Sequence, residues 1–217
     1  YLRFTPPSGE RVDIVKAARQ HGLSLFYVPF MRNGRPQDSD IPEDRGSAIL
    51  STIPLSSFTV VELPHVRQRR LAIAGNLSGQ TTTGAPWTLR VVSVHLENRA
   101  KWSEVFHSFG SARLRQVKAL VQAYSTATPT IAGGDFNTWS DEWDEPAIRY
   151  MEQFFDRPAA SSDFGTVKRT FLFPERMVDY LFFRIPVGWT GAYQRVGNLY
   201  GSDHYPLLGR VQIGDRE

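Results

Sequence analysis

The chain has 217 residues, a formal net charge of +3, and hydrophobic and aromatic contents of 41% and 12%. These values predict one folded domain over residues 1–217 with a substantial core, and they exclude a disordered chain. Because the sequence contains no cysteine, disulfides, thiol catalysis and thiolate metal sites are excluded, so any metal ion must bind oxygen or imidazole ligands.

The sequence also lacks the features of a membrane span or a signal peptide. No apolar run approaches the roughly 20 residues that cross a bilayer, and residues 1–7 do not resemble a signal peptide. Since the first residue is Tyr1 rather than Met, we expect the natural beginning to lie upstream. The calculated pI of 9.3 suits a polyanionic substrate, but without a localised basic patch it does not predict nucleic-acid binding.

The first half of the chain has the pattern of one helix followed by short strands. Apolar residues recur at helical spacing over residues 10–21, before Gly22, and predict an amphipathic surface helix. Residues 32–45 are rich in Gly, Pro, Asp and Arg and predict a loop. Apolar, β-branched runs bounded by turn residues predict strands at 23–30, 46–51, 58–63, 70–77 and 88–95. Their rhythm is typical of an antiparallel sheet.

The second half mixes both kinds of element. Residues 111–125 carry an apolar stripe at helical spacing, and residues 145–155 predict a shorter helix. Further strands are predicted from Thr130, at 178–183 and at 207–213. Strands with apolar faces and helices with one apolar stripe predict two packed sheets covered by helices, an α+β layered sandwich.

The segment Gly133-Gly134-Asp135-Phe136-Asn137 is the most informative part of the sequence. It follows a strand that has the composition of a buried one, and two glycines permit a sharp turn. Residues two apart in an extended chain point the same way, so Asp135 and Asn137 would share one face. A cation, a water or a phosphate oxygen could bind there. Gly, Asp and Asn also form ordinary turns, so the segment alone leaves both readings open.

Polar residues interrupt three other strand-like segments. A strand ends on His95, Asp179 lies in an otherwise apolar run, and Asp203-His204 precede the last strand. An unpaired buried carboxylate costs several kcal/mol, so Asp179 should have a partner, and a histidine is the natural one. Each residue also has a structural reading, as a satisfied strand-end histidine, a capping carboxylate or a surface turn. Together they predict a carboxylate-rich pocket with two imidazoles.

The order of the motifs GSAILS, SVHLEN, GGDFN, VDYLFF and SDHYPL resembles the endonuclease/exonuclease/phosphatase superfamily, over nearly the whole chain. That superfamily includes DNase I-like nucleases, abasic-site endonucleases, inositol polyphosphate 5-phosphatases, neutral sphingomyelinases and deadenylases. The resemblance implies a four-layer αββα sandwich with its active site at one edge of the paired sheets. It also implies hydrolysis of phosphate esters by in-line attack of water with Mg²⁺ or Mn²⁺.

The resemblance further implies a role for each matching polar residue. His204 would be the general base or a phosphate contact, with Asp179 orienting its ring. Asp203 would bind the metal ion directly or through water, and Asp135 would bind metal or position the attacking water. A hard cation prefers such oxygen ligands.

Two more roles concern the phosphoryl group. Asn137 would donate to a phosphate oxygen, and His95 would stabilise the phosphoryl group or protonate the leaving oxygen. Arg70 and Thr170 occupy positions where relatives have phosphate-side residues, although a plain solvated role is the alternative for both. Arg113 and Gln116 are expected to serve packing or surface pairing.

The sequence departs from the superfamily pattern at its start. Members carry an N-terminal strand with an Asn and a Gln-Glu strand end whose Glu is a principal metal ligand, and neither appears here. Glu10 is placed in the first predicted helix and Glu43 in the predicted loop, so neither replaces that ligand. We expect one strand-helix-strand unit to precede Tyr1, and metal affinity and turnover to be severely reduced without it.

The sequence leaves the substrate open. Clustered arginines such as Arg67 and Arg69 could hold a nucleic-acid backbone, while a lipid or inositide substrate would need an apolar loop or a head-group pocket. Aromatic residues such as Trp87 and Trp102 could stack on bases, touch lipid or simply pack. A non-catalytic binding protein that retains the fold is the contrasting hypothesis, and a monomer is expected in either case.

Overall fold

A computed structural model describes residues 13–33, 43–66, 68–98, 111–138, 145–158, 165–168 and 175–214. The helices in these ranges are α1 (Ile14–Gln20), α2 (Ser111–Tyr124) and α3 (Pro146–Glu152). The strands in these ranges are β1 (Ser24–Asn33), β2 (Glu43–Ser51), β3 (Ser56–Leu63), β4 (Arg70–Gln80), β5 (Pro86–His95), β6 (Thr130–Asp135), β7 (Asp179–Arg184), β8 (Thr190–Arg195) and β9 (Leu207–Gln212).

The central sheet has the strand order β3-β4-β5-β6-β7. Its neighbours are antiparallel except for β5 and β6, which run parallel. Helix α2 lies in the connection between β5 and β6, and such a crossover is what allows two successive strands to run parallel. Both strands therefore end at the same edge of the sheet.

Helices cover one face of this sheet. The strand register places one residue from each of the five strands in a single row on that face: Thr59, Ala74, Val92, Ala132 and Phe182. The Thr59 hydroxyl lies 3.3 Å from the Tyr124 hydroxyl of α2, and buried residues of α2 and α3 belong to the same apolar cluster as the sheet residues. The main core therefore lies between the sheet and these helices.

Two short antiparallel sheets, β1-β2 and β8-β9, pack against the opposite face. The rings of Phe26 in β1 and Phe58 in β3 have centroids 4.6 Å apart. Where β8 packs on the same face, the ring of Phe183 in β7 fills the space that a side chain at Gly191 would occupy. Helix α1 packs outside β1, which completes the order helices, sheet, strands, helix. The predicted α+β αββα sandwich is confirmed.

The structure corrects several predicted boundaries. Helix α1 begins at Ile14 rather than at residue 10, because Asp13 caps it by accepting a hydrogen bond from the Lys16 backbone N–H at 2.7 Å. The predicted loop at 32–45 is shorter, since β1 continues to Asn33 and β2 begins at Glu43. Strand β8 was not predicted. No helix in the described ranges is long and apolar enough to cross a membrane.

Candidate active site

Three neighbouring strands of the central sheet end or begin at one edge with a polar residue. β5 ends at His95, β6 ends at Asp135 and β7 begins at Asp179. The register pairs His95 with Asp135, and Asp135 with Asp179. Because paired residues lie on the same face, the three side chains converge on the side of the sheet that faces β8 and β9.

The backbone restricts which residues can stand at the end of β6 and directly after it: the strand continues through Gly133 and Gly134 to Asp135, and does not turn at the glycines as the sequence predicted. Gly134 has φ +146°, and a Cβ atom there would lie 1.9 Å from the Val94 carbonyl oxygen, so only glycine fits. Asn137 has φ +51°; its backbone N–H donates to Asp135 Oδ1 at 2.8 Å, and its side chain donates to the Leu96 carbonyl at 2.9 Å. One of the two amide N–H groups of Asn137 is thus engaged, and its predicted phosphate contact would use the other.

His204 completes the site from the loop before β9. Its Nδ1–H donates to Asp179 Oδ2 at 2.8 Å, and the two side chains are 32% and 17% exposed. This hydrogen bond to Asp179 raises the pKa of His204 to about 9, against the opposing effect of burial. Both residues also line a cavity of about 340 Å³. The predicted partnership of Asp179 with a histidine is therefore present in the structure.

His95 and Asp135 form a second contact, with His95 Nε2 lying 3.5 Å from Asp135 Oδ2. Partial burial, followed by the positive charge of Arg70, lowers the pKa of His95. Burial, followed by the Asp179 carboxylate, raises the pKa of Asp135 to about 6. The two imidazoles thus have opposite tendencies: His95 is neutral at pH 7 and His204 is protonated.

The donors at this edge fit a hard divalent cation. Candidate ligand atoms of Asp135, Asp179 and His204 lie within 4.8 Å of one another; while His204 is protonated, the two carboxylates are the donors available to a cation. The neighbouring Asp179 carboxylate disfavours the charged form of Asp135, and a bound cation would relieve that repulsion. Oxygen donors of this kind are those that Mg²⁺ and Mn²⁺ prefer.

Asp203 lies outside this group. Its side chain is exposed, and its negative charge contributes to the raised pKa of His204. Its predicted role as a metal ligand stays a prediction.

Arg70 lies beside the site as a buried charge. It is 1% exposed, so it is not the solvated residue that the alternative reading assumed. Its Nη2 donates to the Gln68 side chain at 3.0 Å, and its charge lowers the pKa of both His95 and Asp135. The predicted phosphate contact of Arg70 stays a prediction, and Thr170 lies outside the described residues.

Two residues of α2 have structural contacts. Arg113 forms a buried ion pair with Glu145 at 3.1 Å. Gln116 accepts a hydrogen bond from the Glu97 backbone at 2.8 Å and donates to the Pro64 carbonyl at 3.1 Å. Both contacts agree with the packing and pairing roles that the sequence predicts.

One residue of the site has no signal in the sequence. The Thr166 hydroxyl accepts hydrogen bonds from the backbone N–H groups of Val178 and Asp179, each at 2.9 Å. A single Thr after a Gly is ordinary in a loop, so the pattern gives no reason to select it.

The sequence profile of the endonuclease/exonuclease/phosphatase family matches residues 12–204. The chain belongs to this family. Members of this family share the fold described above and are, in general, hydrolases of phosphate esters. None of the curated proteins matches the chain.

Solved structures of the family share the fold at low identity. The catalytic domain of human Nocturnin, determined with a bound sulfate anion, is 18% identical with a TM-score of 0.60, over 91% of this chain and 73% of that one. A family protein from Leptotrichia buccalis is 11% identical with a TM-score of 0.61, over 88% and 72% of the two chains. A Staphylococcus aureus beta toxin mutant with bound magnesium is 14% identical with a TM-score of 0.54, over 75% and 66%.

Proposed function

We propose that this chain is a divalent-metal-dependent hydrolase of phosphate esters whose reaction takes place at the edge formed by β5, β6 and β7. The observation that carries the proposal is the pairing of two adjacent carboxylates with two histidines of opposite pKa shift. Asp135 and Asp179 are neighbours in register, and each carboxylate contacts one imidazole. Acid–base residues with divergent pKa values are typical of hydrolytic sites.

Asp135 is the proposed metal ligand, with Mg²⁺ or Mn²⁺ as the ion. Its carboxylate is 19% exposed and lies at the end of β6, directly after Gly134. Asp203 is the proposed second ligand, because its loop also carries His204. A bound ion would neutralise charge on the phosphoryl oxygens and lower the pKa of a coordinated water. Magnesium is bound in the beta toxin structure, and this agrees with the choice of ion.

Asp179 and His204 form the proposed catalytic pair. Because Nδ1 of His204 is hydrogen-bonded to Asp179, Nε2 is the nitrogen that would face substrate or water. In the protonated ring Nε2–H would donate to a phosphoryl oxygen, and in the neutral ring Nε2 would accept a proton from the attacking water. In both cases Asp179 sets the orientation of the ring.

His95 and Asn137 are the proposed donors to the phosphoryl group. The lowered pKa of His95 keeps the ring neutral near pH 7, which favours hydrogen-bond donation over protonation of the leaving oxygen. Asn137 is fixed by its contact with the Leu96 carbonyl. Fixed donors of this kind stabilise charge that develops on phosphoryl oxygens without reorganisation. Arg70 would add positive charge to the same region.

The test is hydrolysis of bis(p-nitrophenyl) phosphate and of p-nitrophenyl phosphate by the full-length protein, measured with Mg²⁺, with Mn²⁺ and with EDTA. We expect hydrolysis that requires a divalent ion and falls by about 10²- to 10⁴-fold in His204→Ala, as is usual when a general acid or base is removed. His21→Ala is the matched control, because His21 is exposed at the end of α1. Comparison of the two substrates separates diester from monoester activity.

Absence of metal-dependent hydrolysis in the wild type, or equal activity in His204→Ala, would favour the non-catalytic binding hypothesis. Plasmid DNA, abasic oligonucleotide, sphingomyelin and inositol phosphates then serve as the second panel of substrates, with His204→Ala as the reference for each.

A further inference from the structure

Residues 165–168, here called the linking segment, lie between the two parts of the chain that carry Asp179 and His204. On one side the linking segment pairs with the chain just before Asp179, and on the other side it pairs with the chain around His204. The backbone hydrogen bonds are Thr166 N and Val167 N to Arg176 O at 2.7 and 3.0 Å, Tyr205 N to Thr166 O at 2.7 Å, and Lys168 N to Asp203 O at 3.0 Å. The relative position of Asp179 and His204 therefore depends on this segment.

The side chain of Thr166 also contacts the backbone at and just before Asp179. It is 0% exposed, and its hydroxyl oxygen accepts the N–H groups of Val178 and Asp179, both at 2.9 Å. A hydroxyl oxygen has two acceptor positions, and these two hydrogen bonds occupy both. Without that oxygen two N–H groups at the start of β7 lose a buried acceptor, and the strand end would have to shift to find another.

Arg195 of β8 contacts the linking segment and also both of the chain parts that pair with it. Its Nη1 donates to the Gly165 carbonyl at 2.7 Å and forms an ion pair with Glu175. Its guanidinium group also lies 4.4 Å from the centre of the Tyr205 ring. Arg195 lies outside the site and holds the linking segment together with its two neighbouring chain parts. Such support is expected of a segment that sets the distance between Asp179 and His204.

We propose that Thr166 is a positioning residue of this site, and that its hydroxyl and carbonyl oxygens together hold the Asp179 carboxylate against the His204 ring. The hydroxyl fixes the start of β7 at Asp179, and the carbonyl fixes Tyr205, which follows His204. The proposal deepens the proposed function, because it assumes that this pair serves hydrolysis. The geometric part of the proposal does not depend on that assumption.

Thr166→Val is the variant that isolates the hydroxyl, because it keeps the volume and removes the acceptor. We expect kcat on bis(p-nitrophenyl) phosphate with Mn²⁺ to fall by about 10²-fold with KM little changed, since a misplacement of about 1 Å at a catalytic group costs that much. Thr166→Ser restores the oxygen and is expected to recover kcat to within about tenfold of the wild type. If the valine variant does not fold by circular dichroism, Thr166→Ala replaces it.

Thr130→Val is the matched control for burial. Thr130 is also 0% exposed, and its hydroxyl donates to the Thr128 carbonyl at 2.8 Å. It begins β6, at the opposite end from Asp135. We expect it to lower thermal stability without the loss of kcat. An equal loss of kcat in Thr130→Val would overturn the proposal, because the effect would then be general destabilisation.

A double-mutant cycle tests whether Thr166 acts through the pair. In an Asp179→Ala background we expect Thr166→Val to have no further effect on kcat, since the side chain that it positions is already removed. The same further loss in that background as in the wild type would overturn the proposal.

Proton NMR gives a readout that does not need activity. The His204 Nδ1–H is expected to give a downfield imidazole resonance, assigned by its loss in His204→Ala. This resonance should persist in Thr166→Ser and be lost or moved upfield in Thr166→Val, and an unchanged resonance in Thr166→Val would overturn the proposal. If the wild type hydrolyses nothing, the proposed function fails, while this spectrum still decides the role of Thr166.

Discussion

Asp179→Asn should lower the pKa of His204 strongly in the metal-free protein. The pKa of His204 is raised from 6.5 to about 9, with the hydrogen bond that its ring donates to Asp179 as the largest cause. At 1.36 kcal/mol per pKa unit, this net shift corresponds to roughly 3 kcal/mol in favour of the protonated ring. The His204 side chain is 32% exposed, and solvent screening reduces the expected contribution to stability to about 2 kcal/mol.

The sign of the pH dependence follows from the raised pKa. A protonated His204 stabilises the fold fully below pH 6.5, and this stabilisation is lost as the pH rises through about 9. Asp179→Asn also relieves the repulsion on Asp135, whose pKa is about 6. Because Asp135 is ionised at both pH 7 and pH 10, its effect cancels when the two pH values are compared.

The assay is urea unfolding of the wild type and Asp179→Asn in EDTA at pH 7 and pH 10. We expect the stability advantage of the wild type to be about 2 kcal/mol larger at pH 7 than at pH 10. An NMR titration of the His204 ring should give a pKa of about 9 in the wild type and 6.5 or lower in the variant. A His204 pKa that does not change in Asp179→Asn, or a stability difference independent of pH, would refute the reasoning.

Three further outcomes follow from the geometry. Asp135→Asn should weaken Mn²⁺ binding measured by calorimetry, and in the wild type the affinity should fall as the pH drops through about 6, because protons then compete for this carboxylate. Gly134→Ala should destabilise the chain by about 3 kcal/mol or more in urea unfolding, because the added Cβ would meet the Val94 carbonyl at a positive φ. Glu145→Ala should cost about 3 to 5 kcal/mol, since it leaves Arg113 as an uncompensated buried charge.

Each of these outcomes has its own control. For the metal prediction, pH-independent Mn²⁺ affinity would contradict the role of Asp135. Gly197→Ala is the matched control for Gly134→Ala, because a Cβ there meets no atom within 4 Å, and it should cost less than about 1 kcal/mol. An equal loss of stability in both glycine variants would contradict the claim that residue 134 must be glycine. For the ion pair, the double variant Arg113→Met/Glu145→Leu should be more stable than Glu145→Ala.

The contact between Asp179 and a histidine was predictable from sequence because burying an unpaired carboxylate is unfavourable in any protein. A carboxylate within an apolar run needs a partner, and the two histidines in the neighbouring motifs made a histidine the natural one. The unusual backbone at Gly134 was predictable, since two glycines before Asp135 indicate a backbone that other residues resist, but the predicted turn was wrong, because β6 continues through both glycines to Asp135.

Other features depend on tertiary contacts that leave no local pattern. Strand β8 was missed because Gly191 and Ala192 weaken its alternation, and it is stabilised by pairing with β9. The parallel pairing of β5 with β6 results from the crossover through α2 rather than from either strand. The contacts of Thr166 depend on the chain returning beside Asp179, which spacing alone does not reveal.

The most direct test of the central claim is a crystal structure of the chain grown with Mn²⁺ and inorganic phosphate. The account predicts anomalous density for Mn²⁺ at the Asp135 carboxylate, with phosphate beside it in contact with His204 Nε2. Occupation of this edge by neither ion, or Mn²⁺ bound only at acidic residues elsewhere on the surface, would contradict it.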